Sequence, residues 1–175
     1  MKFALIDTAL GTMGLGWTEV GVARFSLPAS DPESTRNRMA RNAEAADPDP
    51  ALTERIVAYG EGERVEFDDV PLDLSGEPDF HRRVYDDILG LKWGETTTYG
   101  EIARRLGDLT LSRAVGQALG RNPIPLIIPC HRVLAAGNKQ GGFSAPGGVT
   151  SKLRMLALEG VAPGPAPRAQ LSFGF

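Results

Sequence analysis

The spacing of apolar residues changes about halfway along this chain of 175 residues, and that change restricts the folds it can adopt. Up to Phe25 the apolar side chains fall in short runs separated by glycines, which predicts a strand meander that begins with a hairpin. Phe80, Val84 and Ile88 instead recur every four residues, as on one face of an amphipathic helix. The sequence therefore predicts an α/β first half and a mostly helical second half.

The turn-forming segment from Ser75 to Pro78 predicts a boundary between the two halves. Residues 1–77 are interpreted as an N-terminal α/β domain with a small, mainly antiparallel sheet and a helix, and residues 78–160 as a C-terminal domain. Residues 161–175, rich in proline and alanine, are predicted to form a loose tail. Because no apolar run is long enough to span a bilayer and no export signal is recognised, we expect no contact with a membrane.

Two helices and a further strand are predicted in the later part of the first half. The first helix covers residues 31–46, with Pro32 in its first turn. The second helix covers residues 51–59, where apolar side chains have helical spacing. Residues 64–73 return to the alternation of apolar and polar side chains that is typical of a strand.

The second half contains a pattern typical of a helix-turn-helix. Thr98 and Glu101 have the spacing of a capping box, which predicts a helix that stops at Gly107. After a short turn, Ser112 is expected to cap a second short helix over residues 113–120. Two short helices joined in this way predict a DNA-binding unit.

A proline-rich segment leads to the single cysteine of the chain. Three prolines in residues 121–129 predict an extended path that delivers Cys130 at its end. A glycine-rich wing or loop over residues 137–148 and a final helix over residues 151–160 are predicted to follow. A cysteine held in so restricted a segment is a candidate functional residue.

Charge is distributed unevenly between the two halves. Residues 1–78 hold 7 basic and 15 acidic side chains, a net charge of −8, whereas residues 79–160 hold 11 basic and 7 acidic ones, a net charge of +4. Phosphate groups are contacted by lysine and arginine, so this asymmetry predicts that the second half meets a polyanion. The acidic first half is not expected to grip DNA.

The cysteine and histidine content excludes a disulfide within the chain and gives no metal-binding motif. Cys130 is the only cysteine, so no disulfide can form within the chain. His81 and His131 are the only histidines, and neither has the spacing of a metal-binding motif. We therefore expect a cytoplasmic protein, in a reducing compartment, without a bound metal.

A lone cysteine is more often a small buried apolar residue than a nucleophile. The neighbours of Cys130 nevertheless favour the role of nucleophile. His131, Arg132 and Arg113 are candidates for a positive field that stabilises the thiolate. Adjacent side chains of an extended segment point to opposite sides, so His131 is expected to act through a bridging water. Glu159, on the last predicted helix, is a candidate for the group that orients the imidazole.

Five segments of the second half resemble, in this order, the motifs of the O6-alkylguanine-DNA alkyltransferases, also called methylated-DNA–protein-cysteine methyltransferases. The resemblance extends over residues 78–160 and rests on Thr98–Ala103 (TYGEIA), Ser112–Gly116 (SRAVG), Arg121–Pro123 (RNP), Ile128–Val133 (IPCHRV) and Leu156–Gly160 (LALEG). It implies a ribonuclease H-like N-terminal α/β domain and a mostly helical C-terminal domain that contains a winged helix-turn-helix.

The resemblance also implies a DNA-repair protein that is consumed by its own reaction. An alkyl group would pass irreversibly from O6-alkylguanine in double-stranded DNA to Cys130, once per molecule, with O4-alkylthymine as a second candidate substrate. His131 would act as a base through a water, Glu159 would polarise the histidine, and Asn122 would bond the neighbouring main chain. No cofactor or metal is implied, and the protein would act as a monomer, binding DNA singly or cooperatively.

Five further residues receive binding roles by the same resemblance. Arg113 would enter the minor groove and hold the space left by the flipped nucleotide, and Ala114 would lie on the recognition helix. Tyr99 would press on the backbone phosphate and contact the base. Val133 and Ser144 would line the pocket, with the serine hydroxyl donating a hydrogen bond to O6.

Two other classes of protein fit parts of the pattern. A cysteine hydrolase would pair Cys130 with His81 or His131 and would turn over repeatedly. A non-enzymatic DNA-binding protein would be either a regulator or a lesion-recognition relative, and such relatives lack the acceptor cysteine. Residues 114–120 offer few groups that read base edges, which favours binding that is independent of sequence.

Overall fold

The computed structural model describes residues 1–164, which form an α/β fold with a small mixed sheet and six α-helices. Most of the predicted tail at 161–175 therefore lies outside the described residues. Within the described part, no helix is both long and apolar enough to cross a membrane.

The sheet has four strands: β1 (Lys2–Thr8), β2 (Gly11–Trp17), β3 (Val22–Ser26) and β4 (Glu44–Ala45). Their order across the sheet is β3-β2-β1-β4. The first three strands pair antiparallel, which confirms the predicted hairpin and meander, and β4 pairs parallel with β1.

Helix α1 (Pro32–Met39) is shorter than the predicted helix over residues 31–46. Its start is as predicted, because Asp31 accepts a hydrogen bond from the Ser34 amide and Pro32 occupies the first turn. The helix ends early because Asn42 adopts a φ of 55° and the next residues pair with β1 as strand β4. The prediction for the second half of this helix was wrong, since tertiary pairing outweighed helix propensity.

Helix α2 (Pro50–Gly60) confirms the second predicted helix and buries Ile56 and Tyr59 completely. The strand predicted over residues 64–73 does not form. Only a single bridge from Leu72 to Val22 joins this segment to the sheet. Arg55 of α2 instead donates hydrogen bonds to the Glu66 carbonyl and the Asp69 carboxylate, which hold the segment as a loop beside the helix.

The second half contributes α3 (Asp79–Leu89), α4 (Tyr99–Arg105), α5 (Ser112–Gly120) and α6 (Gly148–Leu158). A short parallel ladder joins β5 (Thr97–Thr98) to β6 (Val133–Leu134) just before α4 and after the cysteine. This ladder brings the start of α4 close to the segment that carries Cys130.

Helices α4 and α5 pack against each other, as expected for a helix-turn-helix pair. The predicted capping box is present, because the Thr98 hydroxyl accepts from the Glu101 amide while the Glu101 carboxylate accepts from the Thr98 amide. Ser112 is not the cap of α5. Its hydroxyl donates to the Leu109 carbonyl, since a 3₁₀ turn over Leu109–Leu111 immediately precedes the helix.

Helix α6 confirms the last predicted helix but begins three residues earlier, and its buried face differs from the prediction. Leu156 is buried as expected, whereas Ala157 is exposed and Lys152 and Met155 are buried instead. The Lys152 ammonium finds acceptors inside the protein, which allows a charged residue to occupy this face.

One continuous apolar core joins the two halves of the chain. It contains side chains of the sheet and of α2 together with side chains of α3, α5, α6 and the segment before the cysteine, among them Ile6, Leu15, Ile56, Val84, Val115, Ile128 and Met155. The cysteine segment therefore rests on a core built by the whole described chain.

Candidate active site

A cleft of about 630 Å³ opens onto Cys130 between the first and second halves. Phe25 and Met39 line it from the sheet and α1. Asn122, Phe143 and Ser144 line it from the second half, while 7% of Cys130 is exposed. Cys130 thus forms part of the wall of a cleft to which both halves of the chain contribute.

The segment before Cys130 is a closed loop and not the predicted extended path. Asn122 closes it, because its Nδ2 donates to the Ile128 carbonyl at 3.0 Å and its Oδ1 accepts from the Ile124 amide at 2.9 Å. Leu126 adopts a φ of 80° within the loop. The prolines restrict φ but leave room for these turns, and the Asn122 side chain selects the turned form.

Cys130 itself opens a 3₁₀ turn that ends at Arg132. Adjacent side chains do not point to opposite sides in such a turn, so the alternation predicted for Cys130 and His131 is absent. Burial raises the pKa of the Cys130 thiol to about 11, so the thiol is protonated at neutral pH. The side chains of Asn122 and Lys152 oppose this increase.

The predicted positive field of Arg132 and Arg113 is not what acts on Cys130. Arg132 donates to both oxygens of Glu159 and to the Leu91 carbonyl, so its charge is compensated. Arg113 is exposed on the first turn of α5 and does not line the cleft. Lys152 supplies the positive charge instead.

Lys152 is fully buried on α6, and its Nζ donates to the Val133 carbonyl at 2.6 Å and the Gly142 carbonyl at 3.3 Å. Burial lowers the pKa of Lys152 to about 8, although Cys130 opposes that decrease. The ammonium is therefore charged at neutral pH, beside a thiol whose ionised form it stabilises.

His131 forms a buried pair with Glu159. Its Nε2 lies 2.7 Å from Oε1 of Glu159, and both side chains are completely buried. Among the described residues, the Nδ1 atom of His131 has no hydrogen-bond partner. The imidazole is thus fixed at one nitrogen and available at the other.

Glu159 is held by donors from three other parts of the chain. Its Oε1 accepts from Tyr59 Oη at 2.9 Å and from Arg132 Nη2 at 3.1 Å, in addition to His131. Its Oε2 accepts from Arg132 Nε at 2.9 Å and from the Gly94 amide at 3.4 Å. Because the carboxylate has so many donors, its position is set by the fold.

The charge state of Glu159 determines the tautomer of His131. Burial alone would raise the pKa of Glu159, but the hydrogen bonds and charges of His131 and Arg132 outweigh it and lower the pKa to about 2. An ionised carboxylate accepts only, so Nε2 of His131 carries the proton. Burial lowers the pKa of His131, which keeps the ring neutral with an unprotonated Nδ1. That nitrogen is ready to accept a proton.

Tyr99 and Ser144 lie beside the site, in different ways. The half-buried Tyr99 opens α4 beside the loop over residues 139–147, where the position of a Cβ on Gly141 would lie 3.0 Å from the Tyr99 hydroxyl. Burial raises the pKa of Tyr99, and the nearby Cys130 adds to that effect. Ser144 lines the cleft, and its hydroxyl donates to the Gly120 carbonyl at 2.6 Å.

Four other residues considered in the sequence analysis lie outside the cleft lining. Val133 is fully buried in β6 and is not among the lining residues, although its carbonyl receives the bond from Lys152. Arg113 is exposed and Ala114 half-buried at the start of α5. His81, the alternative partner for Cys130, lies on α3 beside Glu77, away from the cleft lining.

Several residues at the site carry no signal in the sequence. Tyr59 comes from α2 in the first half, 100 residues before Glu159. A lysine on a helix is usually exposed to solvent, so its residue type gave no reason to place Lys152 at the site. Arg24, Arg38 and Arg41 of the acidic first half line the cleft.

The chain is similar to several known proteins. Residues 79–161 match the protein family described as 6-O-methylguanine DNA methyltransferase, DNA binding domain. The chain is 35% identical over 159 residues to the methylated-DNA–protein-cysteine methyltransferase of Mycolicibacterium paratuberculosis, and the match covers 91% of this chain and 92% of that protein. It is 46% identical over 116 residues to the protein of the same name from Mycobacterium tuberculosis, covering 64% of this chain and 68% of the relative.

The fold is shared with solved structures. The crystal structure of Mycobacterium tuberculosis OGT in complex with DNA matches with a TM-score of 0.77 and 36% identity, over 91% of this chain and 93% of that chain. The shared fold and the sequence identity to these relatives place the chain in the class of methyltransferases that act through a cysteine. The chain belongs to the methylated-DNA–protein-cysteine methyltransferase family.

Proposed function

We propose that this protein repairs DNA by direct, irreversible transfer of an alkyl group from O6-alkylguanine in double-stranded DNA to Cys130. The observation that carries the proposal is the buried arrangement of Cys130, His131 and Glu159 at the end of a cleft, in a chain of this family. O4-alkylthymine is a second candidate substrate. Each molecule reacts once, because the Cys130 thiolate is too poor a leaving group for ordinary cellular thiols to displace it from a thioether.

The transfer is an in-line displacement at the saturated carbon of the alkyl group. The Cys130 sulfur forms a bond to that carbon while the bond from carbon to O6 breaks, and its electron pair remains on the guanine. The thiol proton passes to Nδ1 of His131 through a bridging water, and the imidazolium then returns that proton through solvent to the guanine anion, which leaves as neutral guanine. Glu159 stabilises the imidazolium that forms.

The raised pKa of Cys130 makes this proton transfer necessary. A free thiol with a pKa of about 11 has little thiolate at neutral pH, so the base must act as the displacement proceeds. Lys152 supports the charge that develops on the sulfur. No step in this scheme requires a cofactor or a metal.

The damaged base must leave the helix to reach Cys130, because O6 is inaccessible within the base stack. We infer that α4 and α5 act as a helix-turn-helix, with the loop over residues 137–148 as its wing. Arg113, at the exposed start of α5, would hold the space left by the base, and Ala114 would face the groove. Tyr99 would contact the backbone phosphate and the base.

The part of the cleft around Cys130 would bind the extruded base. The Ser144 hydroxyl, which now donates a hydrogen bond to the Gly120 carbonyl, would donate one to O6 instead. Such a donor reduces the charge on the leaving oxygen. Val133 would support the pocket from beneath.

We further infer a ribonuclease H-like domain over residues 1–77, a DNA-binding domain over residues 78–160 and a monomer that acts in the cytoplasm.

Intact-protein mass spectrometry tests the proposal directly. After incubation with a duplex oligonucleotide that carries O6-methylguanine, the protein should gain the mass of one methyl group, in proportion to the lesions repaired. Peptide mapping should place that group on Cys130. Repeated turnover without a mass change would favour a hydrolase, and binding without repair would favour a lesion-recognition protein.

Arg113→Ala is expected to slow repair of the duplex much more than reaction with a free O6-alkylguanine base. The free base needs no extrusion from a helix, so the arginine that holds the vacated space does not affect it. Single-turnover rates on both substrates provide the measurement, with Arg64→Ala, a change at another exposed arginine, as the control. Equal losses on the two substrates would contradict the role of Arg113.

Lys152→Met should slow transfer from the free base roughly 10-fold at neutral pH, the effect of about 1.4 kcal/mol of charge stabilisation. The pKa of Lys152 is lowered to about 8, so its charge is present below that pH and disappears as pH rises through it. The gap between variant and wild type should therefore be widest near neutral pH and close above about pH 9. Lys139→Met, at an exposed lysine, is the control, and a gap independent of pH would exclude a charge effect.

A further inference from the structure

The acidic first half of the chain presents a basic segment to the cleft that contains Cys130. Residues 24–41 hold four arginines and two acidic residues, whereas residues 44–77 hold eleven acidic and two basic residues. Arg24, Arg38 and Arg41 line the cleft from this segment. The net charge of the half therefore conceals a local charge of the opposite sign.

Arg24 fixes the backbone that carries the other two arginines. Its Nη1 donates to the carbonyl oxygens of Met39 and Arg38, each at 3.4 Å, and of Arg41 at 3.1 Å. Met39 is fully buried against β2, where a Cβ on Gly14 would fall 2.3 Å from its γ carbon. The end of α1 is thus held against the sheet, and Arg38 and Arg41 keep their place at the edge of the cleft.

Both arginine side chains are free to bind an anion. Arg38 and Arg41 are exposed, and neither forms an ion pair or donates a side-chain hydrogen bond within residues 1–164. Arg121, which follows α5 and lines the same cleft, is also exposed. Guanidinium groups in this situation recognise phosphate by paired hydrogen bonds.

A groove of about 400 Å³ continues from the cleft along α1. Arg38, Arg41 and Pro146 line both the cleft and the groove, and Ser34 and Asn37 add polar groups to the groove. The Asp31 carboxylate, at the opposite end of α1, accepts from Ser34 and is occupied in capping the helix. The groove therefore leads away from Cys130 with arginines at its entrance.

The geometry points to a phosphate-binding rim, formed by Arg38 and Arg41 with Arg121 opposite, that holds the DNA strand beside the extruded nucleotide. This inference rests on the proposed function. A nucleotide that places its base near Cys130 leaves its two flanking phosphates at the mouth of the cleft, where the rim lies. The first half thus binds DNA directly, which reverses the expectation drawn from its net charge.

The double variant Arg38→Gln/Arg41→Gln tests the rim, with Arg36→Gln/Arg64→Gln as a control of equal charge change. Arg36 is exposed on the same helix, and neither control residue lines the cleft or the groove. Duplex binding is measured by fluorescence anisotropy at several salt concentrations, and single-turnover transfer is measured with a free O6-alkylguanine base. The rim variant should bind the duplex more weakly, with the slope of log Kd against log salt reduced by about 2.

The free-base reaction should be unchanged in both variants, because the rim contacts only phosphate. Equal salt slopes in the two double variants would overturn the inference, since only net charge would then matter. A slower free-base reaction in the rim variant would also overturn it, because the change would have altered the cleft. If loss of binding appeared only at high protein concentration, the arginines would contact a second copy of the protein instead of DNA. Failure of wild type on both substrates would refute the proposed function itself.

Discussion

Cys130→Ser is expected to abolish alkyl transfer completely while leaving duplex binding in place. A hydroxyl is a far weaker nucleophile than a thiol, and the chain has no other cysteine to replace it. Serine is similar in size, so the loop closed by Asn122 should keep its hydrogen bonds to Ile124 and Ile128. Mass spectrometry should detect no added methyl group on the variant after prolonged incubation with the damaged duplex.

Binding measurements complete this test. The variant should bind duplex DNA containing O6-methylguanine at least as tightly as wild type binds an undamaged duplex, because the substitution changes none of the residues proposed to contact DNA. A methyl group found on the variant, at any residue, would show that Cys130 is not the acceptor. Loss of binding together with transfer would indicate a folding defect, which thermal unfolding of the same sample would reveal.

Glu159→Gln is expected to produce the largest combined loss of stability and rate. The amide cannot compensate the charge of Arg132, and removing one partner of a buried ion pair destabilises a protein by roughly 3–5 kcal/mol. The amide also offers His131 a donor as well as an acceptor, so the tautomer is no longer determined. Transfer should slow by roughly 100-fold or more, the contribution of a positioned base.

Chemical denaturation at several pH values measures the stability part of this prediction. The pKa of Glu159 is lowered to about 2, so wild type carries a stabilising contribution that is fully present above about pH 4.5 and lost as pH falls towards 2. The variant should lack this contribution. Glu61→Gln, at an exposed glutamate, should retain it. A variant with the wild-type acid profile would show that Glu159 is not the source.

Tyr59→Phe provides a graded comparison at the same carboxylate. It removes one donor to Glu159 and leaves His131, Arg132 and the Gly94 amide in place. A hydrogen bond to a charged group contributes about 1.5–3 kcal/mol, so its effect on stability should be smaller than that of Glu159→Gln. An equal effect would mean that the tyrosine positions the whole pair.

Local sequence signals were reliable where neighbouring residues determine the structure. The capping box at Thr98 and Glu101, the aspartate and proline at the start of α1, and the spacing of Phe80, Val84 and Ile88 all act within a few residues. The order of the motifs around Cys130 and Glu159 likewise indicated the family before any contact was known. For the cap, the helix start and the helix spacing, the residues that determine the structure all lie within one short segment.

The features that sequence analysis missed depend on distant partners. Strand β4 forms because β1 is available for pairing, although its residues favour a helix. Lys152 is buried because the carbonyls of Val133 and Gly142 converge on its ammonium, and Arg38 lies at the cleft because α1 packs on the sheet. Alternation and helix propensity contain no information on such contacts, so the positive charge beside Cys130 was assigned to the wrong residues.

The bond from Tyr59 to Glu159 also has a bearing on when the protein becomes reactive. These residues are 100 positions apart, and contacts of such long range form late because chain entropy opposes them. Until the two halves of the chain have packed together, Glu159 lacks the Tyr59 donor and is not held in place to orient His131. The base relay of His131 and Glu159 is therefore complete only in the fully folded protein, so a protein that can react once becomes competent for transfer as folding finishes.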